Sequence, residues 1–173
     1  MFLYIVYGKM KALSPDDRVL QALRVLFEEL KTKHGLSEEA ILSKIKDEPV
    51  IPVSIFTNRG LRPLEILCKY LKEELNLGYR EISGLLNRDY KTVWTTCRNA
   101  SRKQKARLSV SPTRYMLPVS IFHDRKLSVL EAVVAHLKDI SGLRLVAISS
   151  LLNRDQRNVW GVYHKAKKKW KKY

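Results

Sequence analysis

The chain repeats itself. Residues 52–107 align with 118–173 at a constant offset of 66 without a gap, and 24 of the 56 aligned pairs are identical. Pro52 falls on Pro118, Asn87 on Asn153 and Trp94 on Trp160. A period of this length marks a supersecondary unit used twice, so any fold for one copy must also serve the other. The remainder is a leading third, residues 1–50, and a short connector, residues 108–117 (LSVSPTRYML), which reads as a linker.

Charge follows the repeats. The 173 residues carry 33 Lys+Arg against 17 Asp+Glu, a formal net charge of +16. Residues 1–50 balance at 8 against 8, whereas 51–117 hold 13 against 5 and 118–173 hold 12 against 4. The basic surface therefore belongs to the duplicated units and favours a polyanionic partner. Hydrophobic residues at 45% suffice for a core. No apolar run approaches the ~20 residues of a membrane span. The apolar opening MFLYIVY has no basic leader and reads as a strand or docking segment rather than a signal peptide. Two cysteines, Cys68 and Cys97, fit a reducing, cytoplasmic setting and supply neither a disulfide framework nor a zinc site.

Each repeat reads as three helices. The first covers about 63–75 and 129–140: Pro63 suits a first helical position, Ser128 with Glu131 forms a capping-box pattern, and Leu64, Leu67, Leu71 and Leu75 share one face. The second covers about 79–86 and 145–152. The third begins after Asp89 or Asp155 and buries Val93, Cys97 and Ala100, or Val159, Tyr163 and Ala166. The leader PVSIF before each first helix reads as an extended segment, because its strand-like composition follows a proline. In the leading third, Ser14 to Asp17 should open a helix that Gly35 closes. Ser37 should cap another over 38–46. The expected architecture is all-α: an N-terminal helical hairpin (1–50) with a short extended segment, then two trihelical units, 51–107 and 118–173.

The link between second and third helices carries the functional signal. It reads Leu86-Asn87-Arg88-Asp89 in one copy and Leu152-Asn153-Arg154-Asp155 in the other. Ser83 and Ser149 are small where the two helices cross. Asn87 and Asn153 tolerate the left-handed backbone of a sharp turn. Asp89 and Asp155 can cap the third helix, and Val93 and Val159 pin it to the core. A small residue, a turn residue four positions on and a β-branched residue six further on make the spacing of a helix-turn-helix. Both copies resemble the trihelical helix-turn-helix superfamily, above all region 4 of bacterial sigma factors and the DNA-binding domains of response regulators. The matching residues are Ser83, Asn87 and Thr92-Val93, then Ser149, Asn153 and Asn158-Val159. Arg88 and Arg154 depart from the family, which usually has an apolar residue there.

The resemblance implies that each third helix enters the major groove of double-stranded DNA with its N-terminal residues toward base edges. Those residues are Tyr90, Lys91, Thr95 and Arg98 in the first copy, and Gln156, Arg157, Gly161 and His164 in the second. Phosphate contacts would come from Arg88, Arg102, Lys103, Lys105, Arg107, Arg154, Lys165, Lys167, Lys168, Lys169, Lys171 and Lys172. A structural reading stands beside several of these. Arg88 and Arg154 could instead pair with Glu65 and Glu131, and Trp94 and Trp160 read as packing residues. The histidines lack metal-ligand spacing, so no metal or cofactor is implied.

The leading expectation is a transcriptional regulator in the cytoplasm, associated with the nucleoid, whose linked units read two half-sites. The alternatives are a protein-interaction module, with residues 1–50 serving self-association or polymerase contact, and an architectural DNA binder with little sequence preference. No enzyme is expected, since no nucleophile–base or metal set recurs.

Overall fold

The computed structural model describes residues 18–35, 37, 38, 41, 42 and 48–170. The chain divides into two bodies, 1–47 and 48–173. In the first, α1 spans Arg18–His34 and ends at Gly35, whose φ of 61° only glycine adopts freely. Ile41 N–H donates to the Ser37 carbonyl at 3.0 Å, a helical turn after Ser37. Leu23, Leu26 and Leu30 lie exposed along one face of α1. The apolar opening, the helix start at 14–17 and most of 38–46 lie outside the described residues.

The second body holds both repeats and is helical apart from one two-stranded ladder. In the first repeat, β1 (Val50–Pro52) leads through a 3-10 turn (Val53–Thr57) to α2 (Pro63–Glu73), α3 (Tyr79–Leu85) and α4 (Tyr90–Lys103). In the second, β2 (Met116–Pro118) leads through Val119–Phe122 to α5 (Val129–Asp139), α6 (Leu145–Leu151) and α7 (Gln156–Trp170). The expected six helices are present: the first and second of each repeat lie within two residues of their expected bounds, and each third helix starts directly after its aspartate. The PVSIF leaders are corrected: they wind into 3-10 turns, and the extended residues precede them. No described helix is long and apolar enough to cross a membrane.

Local chemistry sets these limits twice over. Glu65 accepts from the Arg62 backbone N–H at 2.8 Å and Glu131 from that of Ser128 at 2.7 Å, so a glutamate caps the start of each first helix; at Ser128 the cap is reciprocal, its Oγ accepting from the Glu131 N–H at 3.3 Å. Each ends at a left-handed residue, Asn76 (φ 53°) or Gly142 (φ 67°). From there Leu77 N–H reaches back to the Leu71 carbonyl, and Leu143 N–H to that of Leu137. The inward faces of all three helices then close a shared core around Ile66, Leu67, Leu71, Ile82, Leu86 and Val93, matched by Val133, Leu137, Ile148, Leu152 and Val159.

The two repeats are joined by a seam that only the fold displays. Strands β1 and β2 run antiparallel with Val50 opposite Pro118, Ile51 opposite Leu117 and Pro52 opposite Met116. Ile51 and Leu117 are equivalent residues, so a half-turn about their midpoint exchanges the repeats. The flanking bonds obey the same exchange: Val53 N–H donates to the Tyr115 carbonyl at 3.1 Å and Val119 N–H to that of Pro49 at 3.0 Å. Phe56 and Phe122, another equivalent pair, are both buried and stand with ring centroids 6.2 Å apart. Helices α2 and α5 touch across the same seam. The body is thus a covalent pseudo-dimer with a local two-fold axis. Residues 108–117 are built into it rather than hanging free: Leu108 is buried and Ser54 Oγ donates to the Ser111 carbonyl at 2.8 Å.

Candidate nucleic-acid interface

The turn before each third helix is built alike in both repeats. Asn87 (φ 47°) and Asn153 (φ 49°) occupy the left-handed region. Arg88 N–H donates to the Ser83 carbonyl at 3.0 Å and Asn87 N–H to that of Gly84 at 3.2 Å. The same pair recurs as Arg154 to Ser149 at 2.9 Å and Asn153 to Ser150 at 3.1 Å. These crossed bonds satisfy the last carbonyls of the second helix, the Schellman arrangement. Two residues later Asp89 Oδ1 accepts from the N–H groups of Lys91 (2.8 Å) and Thr92 (3.3 Å), and Asp155 Oδ1 from those of Arg157 and Asn158. The aspartates hold the turn and leave the first helical turn pointing outward.

Each third helix packs on the first and second helices of its own repeat. That packing takes Val93, Cys97 and Ala100 inward in α4, and Val159 and Ala166 in α7. The opposite face is open. Tyr90, Lys91, Thr95 and Arg98 are exposed on α4, as are Gln156, Arg157 and His164 on α7, while Gly161 is half-buried. An open depression of about 480 Å³ lies at the start of α7, lined by Asp155, Gln156, Arg157 and Trp160.

The tryptophans are corrected. Trp94 and Trp160 are not packing residues, being 40% and 55% exposed. Each is braced by the side chain one turn on: the Arg98 guanidinium lies 5.2 Å from the Trp94 ring centroid, and His164 stacks on Trp160 at 3.7 Å.

The basic residues fall into two groups. Lys103 Nζ sits 2.6 Å from Glu65, and Lys169 Nζ 2.6 Å from Glu131. These are the recurring glutamates offered above as alternative partners of Arg88 and Arg154, and that alternative is corrected: the partner lies on the third helix. Burial of the two carboxyls opposes ionisation, but the lysine ammonium and the capping N–H together hold both below the ordinary carboxylate value. Lys167 pairs with Asp139 at 3.3 Å, and Arg107 stands 3.9 Å from Glu74. Arg102, Lys105, Lys165 and Lys168 are exposed and carry no ion pair among the described residues. Lys171 and Lys172 lie outside them.

Comparison with known proteins finds no family model, no curated protein and no solved structure that matches the chain.

The turn arginines are half-buried, and one has an arrangement that sequence reasoning missed. Arg59 reaches across the seam from the first repeat, and its Nη1 donates to the Asn153 carbonyl at 2.7 Å. Arg154 lies beside it with its Nε buried and without a hydrogen-bond partner. Burial and the neighbouring Arg59 charge push the Arg154 guanidinium below its ordinary value. Two guanidinium groups held together leave donors for an anion. Across the axis, His123 Nδ1 lies 3.3 Å from the Leu85 carbonyl, so each turn is braced by the opposite repeat. The signal was present in sequence, since Arg59 recurs as Arg125. Its target was not, because 94 residues separate it from Asn153.

Proposed function

We propose that the protein reads double-stranded DNA as a transcriptional regulator, with α4 and α7 as its two recognition helices. The observation that carries this reading is the pairing of two outward third helices, each started by an Asp-capped turn, within one two-fold-related body of strong positive charge. Duplex DNA has two-fold axes of its own, and paired helices in such an arrangement suit two half-sites about one helical turn apart. The two-fold relation between the units supports inverted rather than direct half-sites.

The half-sites differ in sequence. Tyr90, Lys91, Thr95 and Arg98 face one, and Gln156, Arg157 and His164 the other. Lys91 and Arg157 suit guanine, and Gln156 suits adenine. Phosphates are met by Arg88, Arg102, Lys105, Lys165 and Lys168, with Arg59 and Arg154 clasping one more. Lys103, Lys167 and Lys169, tied to carboxylates, contribute less than composition suggests. The regulator works in the cytoplasm, on the nucleoid.

Selection from a random duplex pool, followed by a salt titration, tests the proposal. The expected outcome is an inverted pair of unlike half-sites with affinity falling steeply as salt rises. Affinity indifferent to ionic strength would overturn it, and equal binding to unrelated duplexes would replace it by an architectural role. A second reading, docking of another protein on the third helices, is favoured by the two exposed tryptophans. It predicts that Trp94→Ala and Trp160→Ala leave duplex affinity unchanged. Self-association through residues 1–50 rests on the exposed Leu23, Leu26 and Leu30, and sedimentation velocity tests it.

A further inference from the structure

The first repeat reaches into the turn of the second with a charged side chain, and the turn presents another of the same sign. Arg59 Nη1 donates to the Asn153 carbonyl at 2.7 Å, which brings its guanidinium near that of Arg154. Charges taken from water are ordinarily paired with an opposite charge. Here no carboxylate serves. The ion pairs of this body tie Lys69, Lys103, Arg107, Lys167 and Lys169, and among the described residues none involves Arg59 or Arg154. Asp155, next in the chain, spends its Oδ1 on the N–H groups of Arg157 and Asn158. Burial and the Arg59 charge both push the Arg154 guanidinium below its ordinary value, and no acidic group opposes them.

A second observation is independent of charge. Arg154 Nε is buried without a hydrogen-bond partner, the one side-chain nitrogen or oxygen among the described residues in that condition. A buried donor that finds no acceptor costs stability unless something supplies one. Both arginines are also held in place. Arg154 N–H donates to the Ser149 carbonyl at 2.9 Å, inside the crossed bonds of the turn. Arg59 stands in a loop pinned by Asn58, whose Oδ1 accepts from the N–H groups of Gly60 (2.9 Å) and Leu61 (3.1 Å) and whose Nδ2 donates to Gln104 at 2.8 Å. The equivalent place across the axis is built differently. Arg125 is exposed, with no hydrogen bond or ion pair among the described residues, and a carboxylate, Asp124, precedes it where Asn58 precedes Arg59. The opposite turn is braced by His123 instead. The clasp therefore belongs to one side of the axis and is not a by-product of the repeat.

We propose that Arg59 and Arg154 form a binding site for a phosphate group carrying two negative charges, inorganic phosphate or a phosphomonoester, and that the site fills without nucleic acid. A guanidinium presents its N–H groups as a planar fork that matches two oxygens of one phosphate. Arg154 contributes the unpartnered Nε to that fork. Arg59 directs Nη1 to Asn153 and keeps Nη2 for a third oxygen. Arg59 is exposed, so the ligand enters from solvent, while the half-buried Arg154 forms the floor. Charge sets the preference. Two guanidinium charges without a carboxylate match a dianion, whereas a backbone phosphodiester carries a single charge and neutralises half of them. The inference concerns the same two side chains assigned a backbone phosphate above, names the ligand that suits them better, and needs no DNA.

The test is an NMR titration of the full-length protein with inorganic phosphate at constant ionic strength, chloride making up the balance. A saturable shift is expected at the Arg154 Nε–H and at the backbone amides of 153–155. Methyl phosphate, a monoester, should bind like inorganic phosphate, and dimethyl phosphate, a diester, more weakly. Arg59→Gln, at an exposed position away from the core, should weaken binding at least about tenfold, the loss of one charge-assisted contact. Arg154→Lys keeps the charge and loses the fork, and should weaken it similarly when read at the same amides. Arg125→Gln should leave affinity unchanged. Absence of a saturable shift at these groups overturns the proposal. So does an equal response to chloride, equal affinity for dimethyl phosphate, or unchanged affinity in both Arg59→Gln and Arg154→Lys. A duplex that moves the Arg154 signal when free phosphate does not also overturns it, and leaves the backbone contact and the DNA reading standing. Phosphate binding by a protein that ignores duplex DNA would do the reverse.

Discussion

Asn87 and Asn153 show how much one residue can decide. Both sit at a φ near +50° that costs an ordinary side chain about 1–2 kcal/mol, because Cβ crowds the following carbonyl. Asparagine to glycine should therefore fold unchanged or slightly better. Asparagine to valine should cost about 2 kcal/mol and lower the melting temperature, which calorimetry measures. Lys91 and Arg157 make the matching functional test. Both are exposed, and neither forms an ion pair among the described residues. Replacing either with alanine should weaken duplex binding by about 1–3 kcal/mol and relax preference in its own half-site alone. Replacing Lys168 should weaken all duplexes alike and flatten the salt slope by about one unit. These residues were legible in sequence because a turn and a cap announce themselves locally. Arg59 was not, since its partner carbonyl lies in the other repeat.

At the scale of the element, the third helices are fastened by the Lys103–Glu65 and Lys169–Glu131 pairs. The glutamates are buried and the lysines partly exposed. Each glutamate also caps its first helix, so one carboxylate ties together the start of one helix and the end of another. Glu65→Gln should cost about 1.5–3 kcal/mol, the range for a hydrogen bond to a charged group. The pH dependence follows from the depressed carboxyl values. Stabilisation is complete above the ordinary value of 4.5 and disappears as pH falls through the lower folded value. Urea unfolding from pH 7 to pH 3 should show this loss, and the double Gln variant should show a shallower one. Helix limits could be read from caps and apolar spacing. The glutamates' partners could not, because each pair lies 38 positions apart and the turn arginines, which recur alongside the same glutamates, were equally available as partners.

For the whole molecule, the seam between repeats is the decisive feature and was the least legible. It consists of three residues per strand, each strand ending in a proline. Such short segments carry no periodicity, and a proline at the end of each suggested an extended leader without naming its partner. The Phe56–Phe122 contact on the axis gives a direct probe. Either phenylalanine to alanine should destabilise the body by about 3–5 kcal/mol, visible as a lowered denaturant midpoint. In the surviving folded fraction, affinity for an inverted pair of half-sites should fall more than affinity for a single half-site, because the effective concentration of the second helix depends on a rigid seam.

The antiparallel ladder also sets what each half of the chain is free to become. In an assembly of identical subunits every mutation appears on both sides of the axis at once. Here the outward faces can drift apart one at a time, as Thr95 and Gly161 already have, while Ile51 and Leu117 answer to each other across the ladder. Fusion has kept the mutual fit of twins and released them from having to look alike, so the molecule has a left and a right.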